Sequence, residues 1–587
     1  MSLLQRLTAL VGDAFVAEGA DASAGQVVPS QRPELAQFQC NGAMGASKAL
    51  GRNPRDLAEA VIARLDPSTF VETSVAGPGF INLAISGEAL AAAIEAMHGD
   101  ERVGHQMAGD PRAIVVDYGG PNVAKSMHVG HLRATIIGDS LKRIARFVGH
   151  RVWGDAHFGD WGTQMGQTIV GIAERYPDLP FFAADYDSEQ NVDIPITLDD
   201  LQEIYPDVSR RAKEDEELAA AARKATLELQ QGRPGYRDLW RHLYDVSLEA
   251  QRADFTDLGV EFDLWFGEST VHDRCAPIIS NGQQAGVAVE DQGALVVHVD
   301  LPGDNREWPP LILAKSDGAY TYGTTDVATV DYRADELDAG EAWYVVDARQ
   351  ADHFEQVFRA ARKLGVAPAS MVLDHVKFGT MNGPDGRPFK TREGGILKLR
   401  DLIDMVTEAA MKRIEAQDLG ADMEKDERFA IARQVGLAAL KYGDLQNHRA
   451  SDYMFDLDRF VSFDGKTGPY LQYAAVRIKS ILRRVAEEGI EPGRAAAPIN
   501  DGDEALMLQL VRLPEVIDRS LDSRAPNHIA EYTFELAAVF NRFYEQCHIL
   551  SESDPIVQAS WVTLVETTLA ALTLLLDLLG IEVPARM

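Results

Sequence analysis

The amino-acid sequence predicts a multidomain α/β protein with a small N-terminal α+β domain, a doubly wound parallel-sheet domain and an all-helical C-terminal domain. Three observations predict this fold class. Helical patterns and short β-like runs mix at the N-terminus, short apolar runs alternate with helical patterns in the middle, and almost only helical periodicity follows from about residue 403. Alternating strands and helices are typical of a parallel sheet covered by helices on both faces.

The first domain is predicted to comprise residues 1–108. Its β-like run Phe70–Val75 is followed by the turn Ala76–Gly79 and by a second strand-like run, Phe80–Leu83. Glycine and proline between two such runs mark a turn. We therefore expect strands beside the helical patterns of this domain.

The second domain is predicted to comprise residues 109–405. Ala113–Val116 is a short apolar run of the kind that a buried parallel strand needs, and a loop and a long helix follow it. Further strand-like runs occupy 344–346 and 371–373, and residues of about 195–260 are predicted to form a charged helical insertion. A helical connecting region, 406–465, leads to the C-terminal domain, 466–587.

The 587 residues carry a formal net charge of -33, which argues against a general nucleic-acid coat because phosphate binding favours a basic surface. Lys466–Arg484 is a local basic stretch that includes Tyr470 and Tyr473 and no carboxylate. It fits an RNA contact and, equally, a basic helix face with buried tyrosines. No apolar run reaches the roughly 18 residues of a membrane span. The three cysteines are too far apart to indicate a zinc site or disulfides, which fits a reducing cytoplasm.

The sharpest motif is His128-Val-Gly-His131, which lies where the first strand of the second domain turns into its helix. Ligands bind at the carboxyl ends of parallel strands, and a helix N-terminus presents free N–H groups to phosphate. Two imidazoles at this spacing can donate hydrogen bonds to one phosphate chain. Gly130 removes a side chain where a nucleotide must approach closely. The alternative is a histidine pair that only caps the helix.

The sequence resembles class I aminoacyl-tRNA synthetases, whose HIGH motif occupies this position, and more narrowly their arginine-specific members. Five segments in the same order carry this resemblance: Asp117–Arg133, Gly159–Gln164, Lys315–Ala328, Gly468–Tyr473 and Gly580–Pro584. The resemblance implies a Rossmann-like catalytic domain, ATP with Mg²⁺ as a substrate complex, arginine and tRNA(Arg) as partners, and a cytoplasmic monomer. It implies no protein-bound zinc or other metal and no membrane partner.

Two departures from the family pattern concern the phosphate site. The segment equivalent to the lysine-rich KMSKS loop is Arg387–Gly395, which has no KMSKS pattern. Members with a degenerate loop carry a lysine just before the HIGH motif, and Lys125 stands there, with Lys390 and Arg392 as further candidates for ATP binding. The alternative for these cations is a solvated loop. The second departure is Asp155-Ala-His-Phe158, where many relatives have Asn-His, so no role of that asparagine is carried over to this chain.

The resemblance also implies which residues bind arginine. These candidate ligands are Asp117, Asn122, His131, Tyr322, Asp326 and Gln350. A guanidinium asks for planar acceptors that take two hydrogen bonds, which supports the carboxylates. The alternative for Tyr322 and Asp326 is an ordinary core residue and a helix cap.

The resemblance also implies two tRNA-contacting regions. The N-terminal domain is similar to the family's domain that touches the tRNA elbow, with Phe38, Gln39 and Asn41 as candidates and aromatic stacking on a base as the usual device. The C-terminal domain is similar to the family's anticodon-binding domain. Its candidates come from the basic stretch: Lys466, Tyr470, Tyr473 and Arg477.

The implied reaction is ATP-dependent activation of arginine followed by transfer to tRNA(Arg), with His128, His131 and Lys125 as the catalytic groups. Two rivals stay open. A different class I synthetase or a small nucleotidylyltransferase would share the histidine motif, although the large helical domain disfavours the small transferases. A tRNA-binding paralogue without activity would be expected to have lost the histidines or Lys125.

Overall fold

The computed structural model describes residues 1–30, 32, 35–189, 192, 194–316, 318–383, 385–387, 389, 397–417, 419 and 423–587. The chain forms two compact units. One unit comprises residues 1–108 and 462–587 together with Leu419, and the other comprises residues 109–417 and 423–461.

Residues 1–108 form a four-stranded antiparallel sheet with helices. The strands are β1 (Val27–Pro29), β2 (Phe38–Cys40), β3 (Phe70–Ala76) and β4 (Phe80–Ile85), in the order β1-β2-β4-β3. The helices are α1 (Leu3–Ala17), α2 (Gly42–Leu50), α3 (Pro54–Ile62) and α4 (Gly87–Met97). The hairpin between β3 and β4 turns through Gly77 and Gly79, whose φ angles are 51° and 144°. Both strand-like runs predicted here are confirmed.

The second unit is built on a four-stranded parallel sheet. Its strands are β5 (Ala113–Asp117), β6 (Arg151–Asp155), β10 (Glu341–Tyr344) and β11 (Val372–His375), in the order β11-β10-β5-β6. Three antiparallel strands lie between them in the sequence: β7 (Ala288–Asp291), β8 (Ala294–Val297) and β9 (Leu311–Ala314). A short parallel pair follows: β12 (Met381–Asn382) and β13 (Tyr453–Met454). The doubly wound fold class is confirmed.

Eleven α-helices are seen in the described part of this unit. They are α5 (Val129–Val148), α6 (Thr163–Arg175), α7 (Leu198–Arg211), α8 (Glu216–Gln230), α9 (Pro234–Asp257), α10 (His272–Gln284), α11 (Tyr322–Asp335), α12 (Ala351–Lys363), α13 (Leu399–Ala416), α14 (Lys425–Leu445) and α15 (Leu457–Phe460). Helices α7, α8 and α9 occupy the stretch for which the sequence predicts a charged helical insertion.

Strand β10 begins earlier than the apolar run 344–346 suggests. It starts at Glu341, which is buried and accepts a hydrogen bond from Arg112 at 2.6 Å and another from the indole of Trp343 at 2.8 Å. An apolar pattern misses such a strand, because its first residue is a buried carboxylate whose charge is paired within the fold.

The order of the parallel strands places a crevice at β5. The chain passes from β5 to β6 on one side and later returns to β10 on the other side. The connections therefore diverge at the carboxyl end of β5, and loops at such a switch point form the ligand crevice of doubly wound sheets. Asp117 is the last residue of β5, and the segment that contains His128 follows it.

The C-terminal residues of the first unit are helical. The helices are α16 (Gly468–Glu487), α17 (Asp501–Leu510), α18 (Leu513–Asp522), α19 (Asn527–Gln546) and α20 (Pro555–Leu578). They pack with residues 1–108 and are tied to them by polar contacts, such as His105 Nε2 to Asp518 Oδ1 at 2.9 Å and His98 Nε2 to Glu566 Oε2 at 2.8 Å.

By length and composition, α20 is apolar enough to cross a membrane, with a mean hydropathy of 1.6 over its most apolar stretch. The helix has no long unbroken apolar run, because several threonines, Glu566 and Asp577 interrupt it. However, 67% of that stretch is buried inside the unit, where α20 packs against α16 and α19. This environment is that of a core helix in a globular fold.

Candidate active site

The loop between β5 and α5 is held from two sides. Main-chain hydrogen bonds join Val129 N to Leu397 O and Leu399 N to Met127 O, each at 3.0 Å. On the other side, the Gln251 amide of α9 donates to Asn122 O at 2.9 Å. Ser247 of the same helix accepts from the N–H of Ala124, which adopts a left-handed backbone with a φ of 65°. The helical insertion therefore helps to shape the loop that carries the histidine motif.

His128 and His131 both cap helix α5, and each does so through its own Nδ1 atom. His128 is the N-cap, and its Nδ1 accepts the N–H of Gly130 at 3.0 Å, while Nδ1 of His131 accepts the N–H of His128 at 3.1 Å. An imidazole whose Nδ1 accepts carries its proton on Nε2 when it is neutral. Both histidines can therefore cap the helix and still donate from Nε2.

Burial keeps these imidazoles neutral. It lowers the pKa of His131 to about 3, with smaller contributions from His128 and Lys125. Burial, and then the positive charge of Lys125, also lowers the pKa of His128. Among the described residues no partner binds either Nε2. The pair thus presents two uncharged N–H donors at the N-terminus of a 20-residue helix, a position that favours anions.

Gly130 has a steric role beside the one predicted for nucleotide access. A Cβ atom at this position would lie 2.7 Å from Cε1 of His128. The absence of a side chain therefore lets the His128 ring fold back over the first turn of α5. Gly130 itself is exposed.

Two lysines flank the histidines, and both contact helix α7. The ammonium of Lys125 lies over the ring of Tyr205, 4.4 Å from its centroid. Lys398, which the sequence interpretation does not include, is the antiparallel bridge partner of His128, and its Nζ lies 3.8 Å from Asp199 Oδ1. Lys390 and Arg392, the other predicted ATP ligands, lie outside the described residues.

The predicted arginine ligands Tyr322 and Asp326 lie in the first turns of α11. Thr321 is the N-cap of this helix, so the cap alternative for Asp326 does not hold. The Asp326 carboxylate instead contacts Nε2 of His353 at 2.6 Å, and the Tyr322 ring lies 4.8 Å from the His353 ring between centroids. Tyr322 and His353 line a cavity of about 370 Å³, to which Lys315 also contributes.

A second carboxylate, which the sequence interpretation missed, lies near Asp326. Burial, and then the negative charges of Asp160 and Asp326, raise the pKa of Glu268 to about 7. The N–H of Trp161 donates to Glu268 Oε2 at 3.2 Å. A titratable side chain perturbed by neighbouring charges is typical of binding sites. The only signal in the sequence was a carboxylate between Gly267 and Ser269, which is too common a pattern to single out.

Asp117 is already paired with a protein guanidinium. Arg333 of α11 donates to Asp117 Oδ2 at 2.6 Å and to Asp155 Oδ2 at 2.7 Å, and all three side chains are buried. Asp117, Asp155 and His157 have metal-type ligand atoms within 4.8 Å of one another. The pKa of His157 rises to about 9 despite its burial, because both carboxylates favour its charged form. Arg333 and a charged His157 thus place two positive charges beside the two carboxylates.

Arg333 also connects α11, which carries Tyr322 and Asp326, to the ends of β5 and β6. It lies two turns after Asp326 on α11 and binds the last residues of β5 and β6. Asn122, another predicted ligand, pairs with Gly159 as a parallel bridge, and a Cβ on Gly159 would lie 2.1 Å from its Oδ1. Gln350 is the exposed N-cap of α12, the helix that carries His353. Asp117, Asn122 and Gln350 thus lie at or after the carboxyl ends of β5 and β10. Tyr322 and Asp326 instead begin the helix that follows β9 of the antiparallel sheet.

The predicted tRNA-contacting residues of the N-terminal domain include one that needs correction. Phe38 is 2% exposed, because β2 directs it into the core, so it does not offer a face for base stacking. Gln39 donates to Asn82 Oδ1 at 3.0 Å, and Asn41 is the exposed N-cap of α2.

The basic stretch at α16 is partly exposed. Tyr473 and Arg477 are exposed one helical turn apart, whereas Tyr470 is half-buried and accepts a hydrogen bond from Asn541 at 3.0 Å. Lys466 is exposed and lies 3.6 Å from Glu531. The alternative of a basic face with buried tyrosines therefore holds for Tyr470 in part and not for Tyr473.

Three family models match successive parts of the chain. They are described as the arginyl-tRNA synthetase N-terminal domain (residues 2–85), the catalytic domain of class I tRNA synthetases (R) (residues 93–457) and the DALR anticodon-binding domain (residues 471–587). Arginine–tRNA ligases of Maricaulis maris and Alkaliphilus oremlandii are 47% and 44% identical to the chain, each over 100% of both sequences. The chain belongs to the arginyl-tRNA synthetase family.

Solved structures of the arginyl-tRNA synthetase family share the fold. The arginyl-tRNA synthetase of Plasmodium falciparum has a TM-score of 0.79 at 24% identity, and that of Thermus thermophilus has a TM-score of 0.79 at 22% identity. Each comparison covers 100% of both chains. The three-part architecture of the chain is therefore that of the family, and the histidine motif lies inside the region that matches the catalytic domain.

Proposed function

We propose that the chain is an arginine–tRNA ligase that activates arginine with ATP and transfers it to tRNA(Arg), with the residues at the carboxyl edge of the parallel sheet as its active site. One observation supports the choice of arginine most directly. Glu268 and Asp326 are neighbouring carboxylates, and among the described residues neither has a lysine or arginine partner. A planar guanidinium supplies the missing positive charge and several N–H donors at once.

The first step joins arginine to the α-phosphate of ATP. A carboxylate oxygen of arginine attacks the α-phosphorus, the bond to the β-phosphate oxygen breaks, and pyrophosphate leaves with the electron pair. His128 and His131 donate from Nε2 to the phosphate oxygens, and Lys125 supplies a positive charge beside them. Gly130 gives the nucleotide room at the helix N-terminus. The acceleration comes mainly from positioning and from charge stabilisation in the transition state.

The second step transfers the arginyl group to RNA. A hydroxyl of the terminal ribose of tRNA(Arg) attacks the carbonyl carbon of arginyl-adenylate and loses its proton. The bond from that carbon to the phosphate oxygen breaks, and AMP leaves with the electron pair. The anticodon end binds residues 466–587 through the exposed face of Tyr473, Arg477 and Lys466. Residues 1–108 contact another part of the tRNA through Gln39 and Asn41, without stacking by Phe38. Residues 109–405 form the catalytic domain, and 406–465 connect it to the anticodon-binding domain.

ATP arrives as its Mg²⁺ complex, so the metal ion is part of the substrate. The arginine pocket is formed by Tyr322, Asp326, Glu268 and Asn122. Asp117 acts indirectly, by holding the guanidinium of Arg333. Gln350 contributes from the N-cap of α12, and Lys390 and Arg392 help to bind ATP. The enzyme acts as a monomer in the cytoplasm.

Amino-acid-dependent exchange of pyrophosphate into ATP tests this function. Purified protein is assayed with each of the twenty amino acids, with and without tRNA(Arg). We expect exchange only with arginine, and only when tRNA is present, because tRNA binding completes the pocket by induced fit. Exchange with another amino acid would contradict the substrate assignment. Arginine-dependent exchange without tRNA would retain the activity and remove the induced-fit step.

A further inference from the structure

His353 contacts both side chains that form the arginine end of the site. Its Nε2 lies 2.6 Å from Oδ2 of Asp326, and its ring packs against the ring of Tyr322 at 4.8 Å between centroids. The histidine belongs to the first turn of α12, whereas both ligands belong to α11. One side chain therefore links the carboxylate and the phenol of the pocket across two helices.

We propose that His353 is a positioning residue for arginine recognition, which orients the Asp326 carboxylate and the Tyr322 ring before the guanidinium binds. The terminal torsion of an aspartate is soft, so the plane of its carboxylate is poorly defined by packing alone. A hydrogen bond from His353 Nε2 to one oxygen fixes that plane. Because a carboxylate has about four acceptor sites, the remaining ones stay available for a forked pair of N–H donors.

The position of His353 suits this role for a second reason. The imidazole is itself held by the ring of Phe354, 5.4 Å away between centroids, and its side chain is 16% exposed. A lysine or arginine here would bring a fixed positive charge that competes with the substrate guanidinium for Asp326. Histidine can donate one directed hydrogen bond from Nε2 without bringing such a fixed charge.

Two substitutions separate the functions of the ring and of the donor. His353→Phe keeps a ring against Tyr322 and Phe354 but cannot donate to Asp326, whereas His353→Gln keeps an amide donor near the Nε2 position. We expect His353→Phe to raise the KM for arginine about tenfold or more, because a hydrogen bond to a charged group is lost. The KM for ATP and the kcat should change less than about twofold, since the lost contact is made equally in the ground and transition states. His353→Gln should restore the KM for arginine to within about threefold of the unsubstituted enzyme.

A double-mutant cycle distinguishes positioning from a general packing effect. The KM for arginine is measured for His353→Phe, Asp326→Asn and the double variant, with thermal unfolding followed for each. We expect the effect of His353→Phe to vanish when Asp326 is already replaced, because contacting residues that act together are non-additive. Additive effects, an equal rise in the KM for ATP, or a failure of His353→Gln to restore the KM would overturn the positioning role.

This role rests on the proposed function, and the two fail in different ways. If the unsubstituted protein does not use arginine, the proposed function fails before any variant is made. If it charges tRNA with arginine and His353→Phe leaves the KM for arginine unchanged, only the role of His353 fails. Should His353→Phe not fold, the decision passes to His353→Gln and His353→Ala: a raised KM for arginine in the alanine variant alone supports the role, and equal KM values in both contradict it.

Discussion

His128 and His131 each use Nδ1 to accept a main-chain N–H of the first turn of α5, at 3.0 and 3.1 Å. The two interpretations of this pair, as helix caps and as phosphate ligands, are therefore compatible. Capping holds the proton on Nε2 and so leaves Nε2 as the donor that the proposed phosphate contact requires. The structural role thus determines which tautomer is available for the chemical role.

Two substitutions of His128 separate these roles. His128→Asn keeps an acceptor near the position of Nδ1, so the cap persists, but it loses the distant donor. We expect a melting temperature close to that of the unsubstituted protein and an activation rate about 10²-fold lower, the scale for one charge-stabilising donor. His128→Gln keeps a distant donor, so it should be more active than His128→Asn although about 1 kcal/mol less stable. Pyrophosphate exchange and thermal unfolding measure both, and full activity in His128→Asn would leave the histidine as a cap only.

Lys125 is expected to supply the charge that a lysine-rich loop supplies in other class I enzymes. Lys125→Ala should lower the activation rate by about 10²-fold or more, while the KM for arginine changes little. Lys125→Arg is the matched control, because it keeps the charge and can still lie over the Tyr205 ring. Single-turnover formation of arginyl-adenylate is the measurement. A loss of less than about threefold in a folded alanine variant would assign Lys125 to a solvated loop.

Asp326 is expected to dominate arginine recognition. Asp326→Asn replaces one acceptor oxygen with a donor that faces the guanidinium. The kcat/KM for arginine should therefore fall by a factor that corresponds to a loss of about 3 kcal/mol or more in transition-state stabilisation. Tyr322→Phe removes one hydroxyl and keeps the ring against His353, so its cost should be smaller. Steady-state arginylation of both variants, with circular dichroism as the folding control, provides the comparison. If Asp326→Asn kept its kcat/KM, the pocket would have to be redrawn around Glu268, since Asp117 is already paired with Arg333.

The raised pKa of Glu268 predicts how arginine binding depends on pH. Its pKa of about 7 means that its protonated form predominates below about pH 7 in the absence of arginine, and a guanidinium binds the ionised form. Binding then releases a proton in this range, and the KM for arginine should fall about tenfold between about pH 6 and about pH 8. The KM for ATP over the same range is the control. In Glu268→Gln the KM for arginine should be higher and nearly independent of pH, and an unchanged pH profile would place the titration on another group.

The exposed face of α16 is expected to bind tRNA. Arg477→Glu should raise the KM for tRNA(Arg) about tenfold and leave the KM for arginine unchanged, because it reverses one charge beside the exposed Tyr473. Arg483→Glu makes the same change in charge about 120° away around the helix and serves as the control. Filter binding of labelled tRNA gives the affinity directly. Equal losses in both variants would indicate a general charge effect and no defined contact face.

Much of the fold could be predicted, because its signals are local. The apolar run at β5, the helical periods of the C-terminal domain and the charged insertion depend only on neighbouring residues in the chain. The apolar pattern places the start of β10 three residues late, since Glu341 is acceptable in a buried strand only when Arg112 and Trp343 pair with it. That pairing depends on the sheet and leaves no local pattern.

Residues of the candidate site could likewise be predicted only where their signal is local in the sequence. His128, Gly130 and His131 stand close together in the sequence, so their motif revealed them, and long motifs drew attention to Tyr322 and Asp326. The sequence alone thus determined the fold class, the family resemblance and the position of the histidine motif at the start of α5. Only the tertiary structure showed that Phe38 is buried, that Arg333 is paired with Asp117, and that Glu268 and His353 lie beside Asp326. These relationships join residues that are separated by up to 216 positions, and burial and charge pairing between such residues arise only when the chain has folded.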